Sequence, residues 1–145
     1  MTATLQEFNE KFRVHDLEIE STEHWIWSVR PVHSTLGSGV LSLRRFCESF
    51  GDITSAEATD LQRIVSVIES KLNRFEPNQK MNYVMLMMVD AHLHFHVLPR
   101  YSSAVERFGR VWNDEGWPGP PLMGANAELA SDPVLMIIRD ALRAA

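Results

Sequence analysis

The spacing of apolar residues changes along the chain, and each change predicts an element. Leu5, Phe8 and Phe12 step by three and four, which predicts a short amphipathic helix or an ordered lead-in. From Val14 the period shortens. Leu17 and Ile19 alternate with charged residues, and Trp25, Trp27 and Val29 alternate with Ile26 and Ser28. Both runs read as strands, and Ser21-Thr22-Glu23 joins them as a hairpin. Pro31 ends the second strand. Gly37-Ser38-Gly39 is a turn, and Val40, Leu41 and Leu43 begin a third strand that ends at Arg44-Arg45.

A long helix follows the break at Gly51-Asp52. Thr54-Ser55-Ala56-Glu57 has the spacing of a capping box, in which a hydroxyl and a carboxylate each satisfy a backbone donor of the first turn. Ala58, Leu61, Val65, Ile68, Leu72 and Phe75 then form one apolar stripe, the mark of a helix lying on a sheet. Pro77 and Asn78 end it. Residues 82–89 are almost continuously apolar and bounded by turn residues, which predicts a central strand. Asp90-Ala91 links it to a strand over 92–98, closed by Pro99. Residues 102–130 are irregular, with Pro120-Pro121 excluding a regular helix or inner strand. Asp132 as cap and Pro133 in the first turn start a final helix through Leu135, Ile138 and Leu142. Strands joined by short turns around one long helix make the class α+β with an antiparallel sheet.

Composition narrows the picture. A chain of 145 residues fits a single domain over 1–145, with 102–145 as an irregular and helical C-terminal extension. The apolar fraction of 45% and charged fraction of 23% are those of a globular protein that needs no disulfide or metal to fold. Cys47 is the only cysteine, so no internal disulfide forms. The N-terminus has no basic region followed by an apolar run, and no stretch reaches the ~20 apolar residues of a membrane span. A cytoplasmic location is the default expectation. The net charge of −5 argues against a broad nucleic-acid surface but leaves room for a local anion site.

The candidate chemistry sits in His92-Leu93-His94-Phe95-His96-Val97-Leu98. Alternate side chains of a strand share a face, so His92, His94 and His96 point one way while Leu93, Phe95 and Val97 point into the core. A lone histidine is usually a surface or satisfied core residue; three in strict alternation are not explained that way. Two chemistries fit. One is a metal site. Residues i and i+4 of a strand lie about 13 Å apart, so Zn–N bonds of about 2.1 Å do not gather all three histidines, and a metal needs a further ligand such as His33 or Asp90. The other is nucleophilic and acid–base catalysis at phosphorus without a metal, since a neutral imidazole is a good nucleophile and a neighbouring ring donates to phosphate oxygens.

The same seven residues resemble the signature of the histidine triad (HIT) family, three histidines alternating with apolar residues, and Pro99-Arg100 is usual after it. The resemblance covers roughly residues 14–101. Trp112 and Gly116-Trp117-Pro118-Gly119-Pro120 look like the tail of a bacterial subgroup described as diadenosine-tetraphosphate hydrolase-like. What the resemblance implies is a HIT-like antiparallel sheet with one long helix packed on it and a C-terminal helix. It also implies a nucleotide hydrolase or nucleotidyl transferase acting on the α-phosphate of a nucleoside phosphoramidate or dinucleoside polyphosphate. His94 would attack phosphorus to give a nucleotidyl-histidine intermediate, His96 would bind phosphate oxygens, and His92 would support the site. Asn82 and Arg100 are the candidate substrate-binding residues. No cofactor or metal is required, a divalent cation accompanying the substrate stays open, and the implied assembly is a homodimer formed through the helix and the sheet edge.

One departure bears on turnover. Relatives carry polar residues just before the triad to touch the transferred phosphate; Met87, Met88 and Val89 stand there in this chain, followed by Asp90 and Ala91. The competing reading is a nucleotide-binding regulatory module with little turnover. Arg30, Arg44 and Arg100 are the arginines available to offset phosphate charge, with solvated surface the ordinary alternative for each. Trp25 and Trp27 read as core.

Overall fold

A computed structural model describes residues 1–145. Its elements, in chain order, are α1 (Leu5–Lys11), β1 (Glu18–Ser21), β2 (Trp25–Val29), β3 (Gly39–Leu43), α2 (Ser55–Phe75), β4 (Lys80–Val84), β5 (His94–Arg100), β6 (Val105–Arg107), β7 (Arg110–Trp112) and α3 (Val134–Ala144). The first five strands form one antiparallel sheet in the order β1-β2-β3-β5-β4, and β6 and β7 form a separate hairpin. The expected α+β class with one long helix on an antiparallel sheet is what the chain forms. No helix is long and apolar enough to cross a membrane.

The pairing register assigns the two faces of the sheet. Trp27 pairs with Leu41, and Leu41 with Phe95, so these share a face with Trp25, Leu43 and Val97. Against this face lie Ile64, Ile68 and Leu72 of α2 and Leu135, Ile138 and Leu142 of α3, all fully buried in one core. The segment expected as an extension therefore completes the core, supplying Trp112 and Leu129 as well. On the opposite face, Ile26 pairs with Ser42 and Ser42 with His94, while Ser28 pairs with Val40 and Val40 with His96. Here α1 lays Phe8 and Phe12 over Ile26 and Val40 in a second, smaller apolar cluster.

Two expected strands shift. The run 82–89 is not a central strand: β4 ends at Val84 and forms the sheet edge, and Leu86, Met88 and Val89 are exposed. Continuous apolarity there reflects a surface loop, with Met87 in the left-handed region that non-glycine residues seldom adopt. The histidine strand begins at His94, not His92, and runs through Pro99 to Arg100. Pro99 fits because β3 pairs only as far as Val97, so beyond it β5 has a single neighbour and a missing donor is tolerated on the open side.

The capping box of α2 forms as expected, Thr54 and Glu57 each bonding the other's backbone N–H at 2.9 and 3.1 Å. The buried stripe is rotated from the expected one: Glu57, Asp60 and Ile64 are buried, and Ala58 is exposed. The buried carboxylates have partners. Asp60 accepts from Thr22 Oγ1 and the His24 N–H, and Glu57 accepts from Arg45 Nε and Nη2, both at 2.8 Å. The side-chain hydrogen bonds from Arg45 hold the Glu57 carboxyl down at about 2. Glu57→Gln should lower stability at pH 7 by about 1–2 kcal/mol, modest because Arg45 is half exposed and water screens the pair. With the folded pKa depressed, the stabilisation is complete above the unfolded value of about 4.5 and is lost as pH falls through about 2. Urea titrations of both proteins at pH 7 and pH 2.5 check this: the gap between them should shrink at the lower pH.

Candidate active site

The three histidines are brought together, but they are not equivalent. His92 precedes β5 and is fully buried. Its Nε2–H donates to the Leu43 carbonyl at 2.8 Å, and its Nδ1 accepts from the Cys47 N–H at 3.2 Å. Phe46 stacks on the ring at 5.4 Å between centroids. With both nitrogens held by backbone, His92 is a strut joining the end of β3 to the start of β5.

His94 is the next ring. Its Nδ1–H donates to the His92 carbonyl at 2.5 Å. The proton is therefore on Nδ1, and Nε2 keeps its lone pair free with no partner in the chain. His96 has the opposite arrangement. Its Nδ1 accepts from Arg30 Nε at 3.0 Å, which leaves the proton on Nε2. The two rings meet edge to face at 4.9 Å. A bare lone pair on one ring thus stands beside an N–H on the next.

Burial keeps all three neutral. It is the main reason that His92 and His94 lie below the ordinary imidazole range and that His96 is pushed down to about 3, with the Arg30 charge adding to the effect on His96. Phe8 lies 4.8 and 4.9 Å from the rings of His92 and His94, and Phe12 lies 5.5 and 6.2 Å from those of His94 and His96. The histidine face is therefore not open to solvent: α1 and its C-cap residue Phe12 cover it, and His94 is 2% exposed.

One opening reaches the pair. It is a cavity of about 110 Å³ bordered by His94, His96, Asp90 and the apolar side chains of residues 86–89. Small-molecule sites usually measure ~300–1,000 Å³, so this one is too small to enclose a whole nucleotide. Met88, 78% exposed, lies on its rim, where relatives are expected to place a polar contact. Asp90 receives hydrogen bonds from Lys11 Nζ at 2.8 and 2.9 Å and from Thr2 Oγ1 at 3.0 Å. Burial alone would raise its pKa; these bonds and the Lys11 charge outweigh burial and lower it. A larger hollow of about 560 Å³ lies on the outer side of α1, lined by Asn9, Glu10, Arg13 and His15, but no buried or activated group faces it.

The other candidates lie elsewhere. Arg100 stands on the same face as His96 but four residues along the strand, about 13 Å away. It is almost fully buried, and it is bound to Asp114 through Nε and Nη2, to Asn82 Oδ1 at 2.7 Å and to the Gly119 carbonyl. Asn82 and Arg100 are thus joined to each other, and Arg100 ties the segment 114–119 to the sheet. His33 is fully buried, donating from Nδ1 to the Arg30 carbonyl and accepting at Nε2 from the Gly37 N–H. With His92 and His33 committed in this way, no group of three or more His, Cys, Asp or Glu side chains is placed to hold a metal. Trp25 and Trp27 lie in the core, Trp25 donating to the Glu57 carbonyl. Arg44 donates to the Thr22 carbonyl at the surface. Sequence reasoning missed Arg30 as a neighbour of His96; its two-residue spacing from Ile26 and Ser28 was the signal that it shares the histidine face.

Comparison with known proteins places the fold. At the sequence level no family model and no curated protein matches the chain. Solved structures do match. A histidine triad protein from Sinorhizobium meliloti is 19% identical with a TM-score of 0.72, over 97% of this chain and 95% of that one. A histidine triad protein from Bradyrhizobium japonicum is 20% identical with a TM-score of 0.65, over 91% and 92%. The C. elegans NitFhit protein is 20% identical with a TM-score of 0.59, over 87% of this chain and 27% of its own. The chain therefore has the fold of the histidine triad proteins.

The buried neutral histidines make stability depend on pH. His33 and His96 are held at about 4 and about 3, mainly by burial, against about 6.5 in an unfolded chain. Between those values the unfolded state binds more protons, so stability is complete above about 6.5 and falls as pH drops toward 4. Urea unfolding at pH 7.5, 6 and 5 should show a steady loss, up to about 1.4 kcal/mol per pH unit for each histidine. Equal stability at pH 7.5 and 5 would mean that these rings are not held neutral.

Proposed function

We propose that this protein is a metal-independent hydrolase or nucleotidyl transferase acting on the α-phosphate of a nucleoside phosphoramidate or dinucleoside polyphosphate. The reading follows the diadenosine-tetraphosphate hydrolase-like proteins that the C-terminal tail resembles. The observation that carries it is the pair of complementary nitrogens beside the cavity: the free lone pair of His94 Nε2 and the Nε2–H of His96.

Chemically the steps balance. His94 Nε2 attacks the α-phosphorus, a P–N bond forms, and the bond from phosphorus to the leaving group breaks. The leaving group departs with the electron pair and takes a proton from solvent. As N–P bonding places positive charge on the ring, the His92 carbonyl on Nδ1–H stabilises it. His96 donates from Nε2 to a phosphate oxygen and offsets charge that builds there. Water then attacks phosphorus and gives up a proton to solvent, the P–N bond breaks with its electron pair returning to His94 Nε2, and nucleoside monophosphate leaves. His92 supports the site through backbone alone. The reading carries with it a cytoplasmic enzyme with reduced Cys47, and a homodimer joined through the edge strand β4 and α2.

A specific observation favours the second reading, a nucleotide-binding regulatory module with little turnover. The cavity rim is apolar where a phosphate contact is expected, so part of the transition-state stabilisation is missing. A turnover screen decides between the two. Adenosine phosphoramidate, diadenosine polyphosphates and other nucleoside anhydrides are offered in the presence of a chelator. Turnover by the wild type, reduced at least a thousand-fold in a folded His94→Ala variant, supports the enzyme. Activity that survives in His94→Ala, or that vanishes with the removal of stoichiometric zinc, contradicts it.

Met88 offers a graded test. A thioether cannot donate to a phosphate oxygen, and a hydrogen bond to a charged group is worth roughly 1.5–3 kcal/mol. Met88→Asn should raise kcat/KM by about ten-fold or more. Because Met88 is exposed, the melting temperature should hardly move. A less stable variant with no gain in rate would show that Met88 does not face the transferred phosphate.

A further inference from the structure

Arg30 follows β2 and stands on the histidine face with Ile26 and Ser28, yet the residue as a whole is only 8% exposed. Its hydrogen bonds divide into two sets. Nη1 donates to the Val32 carbonyl at 2.8 Å, to Ser34 Oγ at 2.6 Å and to the Met123 carbonyl at 2.9 Å. Nε donates to His96 Nδ1 alone, at 3.0 Å. The first set fastens the chain after β2 to the C-terminal segment. The second has no structural partner except the imidazole.

A guanidinium has donors and no acceptor. Burial pulls Arg30 down to about 10, and it is still protonated at neutral pH. The bond to His96 therefore runs in one direction only. We propose that Arg30 is a positioning residue for the histidine site: it fixes His96 in the Nε2–H tautomer, so that this ring always presents a donor beside the lone pair of His94. The inference rests on the reading of His94 as nucleophile. In the other neutral tautomer His96 would turn a lone pair toward the phosphate oxygens and repel them. A free imidazole exchanges between the two, and a lysine in place of Arg30 would lack the planar fork that serves His96 and Met123 together.

The groups facing His96 are consistent with this role. Arg30 comes from the end of β2 and His94 from the same strand, and each opposes a proton on His96. Asp90, from the loop before β5, favours one, but Lys11 of α1 neutralises it. Phe12, the C-cap residue of α1, covers the ring with apolar surface.

The test uses the full-length protein labelled with ¹⁵N at histidine. In the wild type, His96 should show an unprotonated Nδ1 and a protonated Nε2, as a single tautomer from pH 5 to pH 8. Arg30→Met should mix the tautomers and bring the titration of His96 up toward the ordinary imidazole range. It should lower kcat ten-fold or more with less change in KM, and Arg30→Lys should recover part of the loss. Ser34→Ala removes one partner of Nη1 and the bond from Ser34 Oγ to the Met123 carbonyl but leaves the Nε bond to His96, so it should lower the melting temperature while leaving the His96 resonances and kcat in place. A wild-type His96 protonated at Nδ1 overturns the proposal, and that result needs no variant to fold. So does an Arg30→Met protein with unchanged His96 resonances and unchanged kcat. A wild type that shows the fixed tautomer yet turns over no substrate sinks the functional reading and leaves the link from Arg30 to His96 standing.

Discussion

A neutral imidazole has one donor and one acceptor, and burying it forces the protein to say which nitrogen is which. That constraint organises this molecule. His94 donates from Nδ1 to the His92 carbonyl at 2.5 Å, and this single bond decides that the other nitrogen is a lone pair. The carbonyl is in place because the His92 ring is pinned by Leu43 and Cys47. Leu43 is in place because β3 lies between β2 and β5, with α2 and α3 filling the opposite face. The path from core packing to an unpaired ring nitrogen is short, and it passes through backbone groups that cannot rotate away.

The same constraint explains why the site combines burial with chemistry. Phe8 and Phe12 exclude water from the rings, which lowers their basicity and keeps them uncharged. A protonated His94 would have no lone pair to offer. The cost is a small opening: the cavity measures about 110 Å³, and the side chains of residues 86–89 make its rim apolar. Lys11 and Thr2 hold Asp90 at that rim, so the N-terminal segment both covers the rings and fixes one residue of the cavity lining.

Much of this was legible in the chain. The capping box of α2, the hairpin of β1 and β2 and the shared face of His94 and His96 follow from spacing, because helix and strand periods are local properties. What was hidden depends on long-range contacts. Glu57, Asp60 and Ile64 are buried in place of Ala58, Leu61 and Val65, with Glu57 and Asp60 turned inward to partners over ten and over thirty residues away. Residues 85–89 look like an inner strand, and nothing local shows that β4 stops at Val84. The internal partners of Arg100, Asp114 and Gly119, lie 14 and 19 residues further along the chain, where no local period points to them. Arg30 was visible only as one arginine among several, since its partner His96 lies 66 residues away.

The central claim is that His94 Nε2 forms a bond to phosphorus. Rapid acid-free quenching of the wild type during turnover of adenosine phosphoramidate, followed by intact-mass and peptide analysis, tests it directly. The account predicts an adenylate adduct on His94, absent from a folded His94→Ala protein and lost on exposure to acid. Turnover that proceeds with no adduct at any time, or an adduct on another residue, would contradict it.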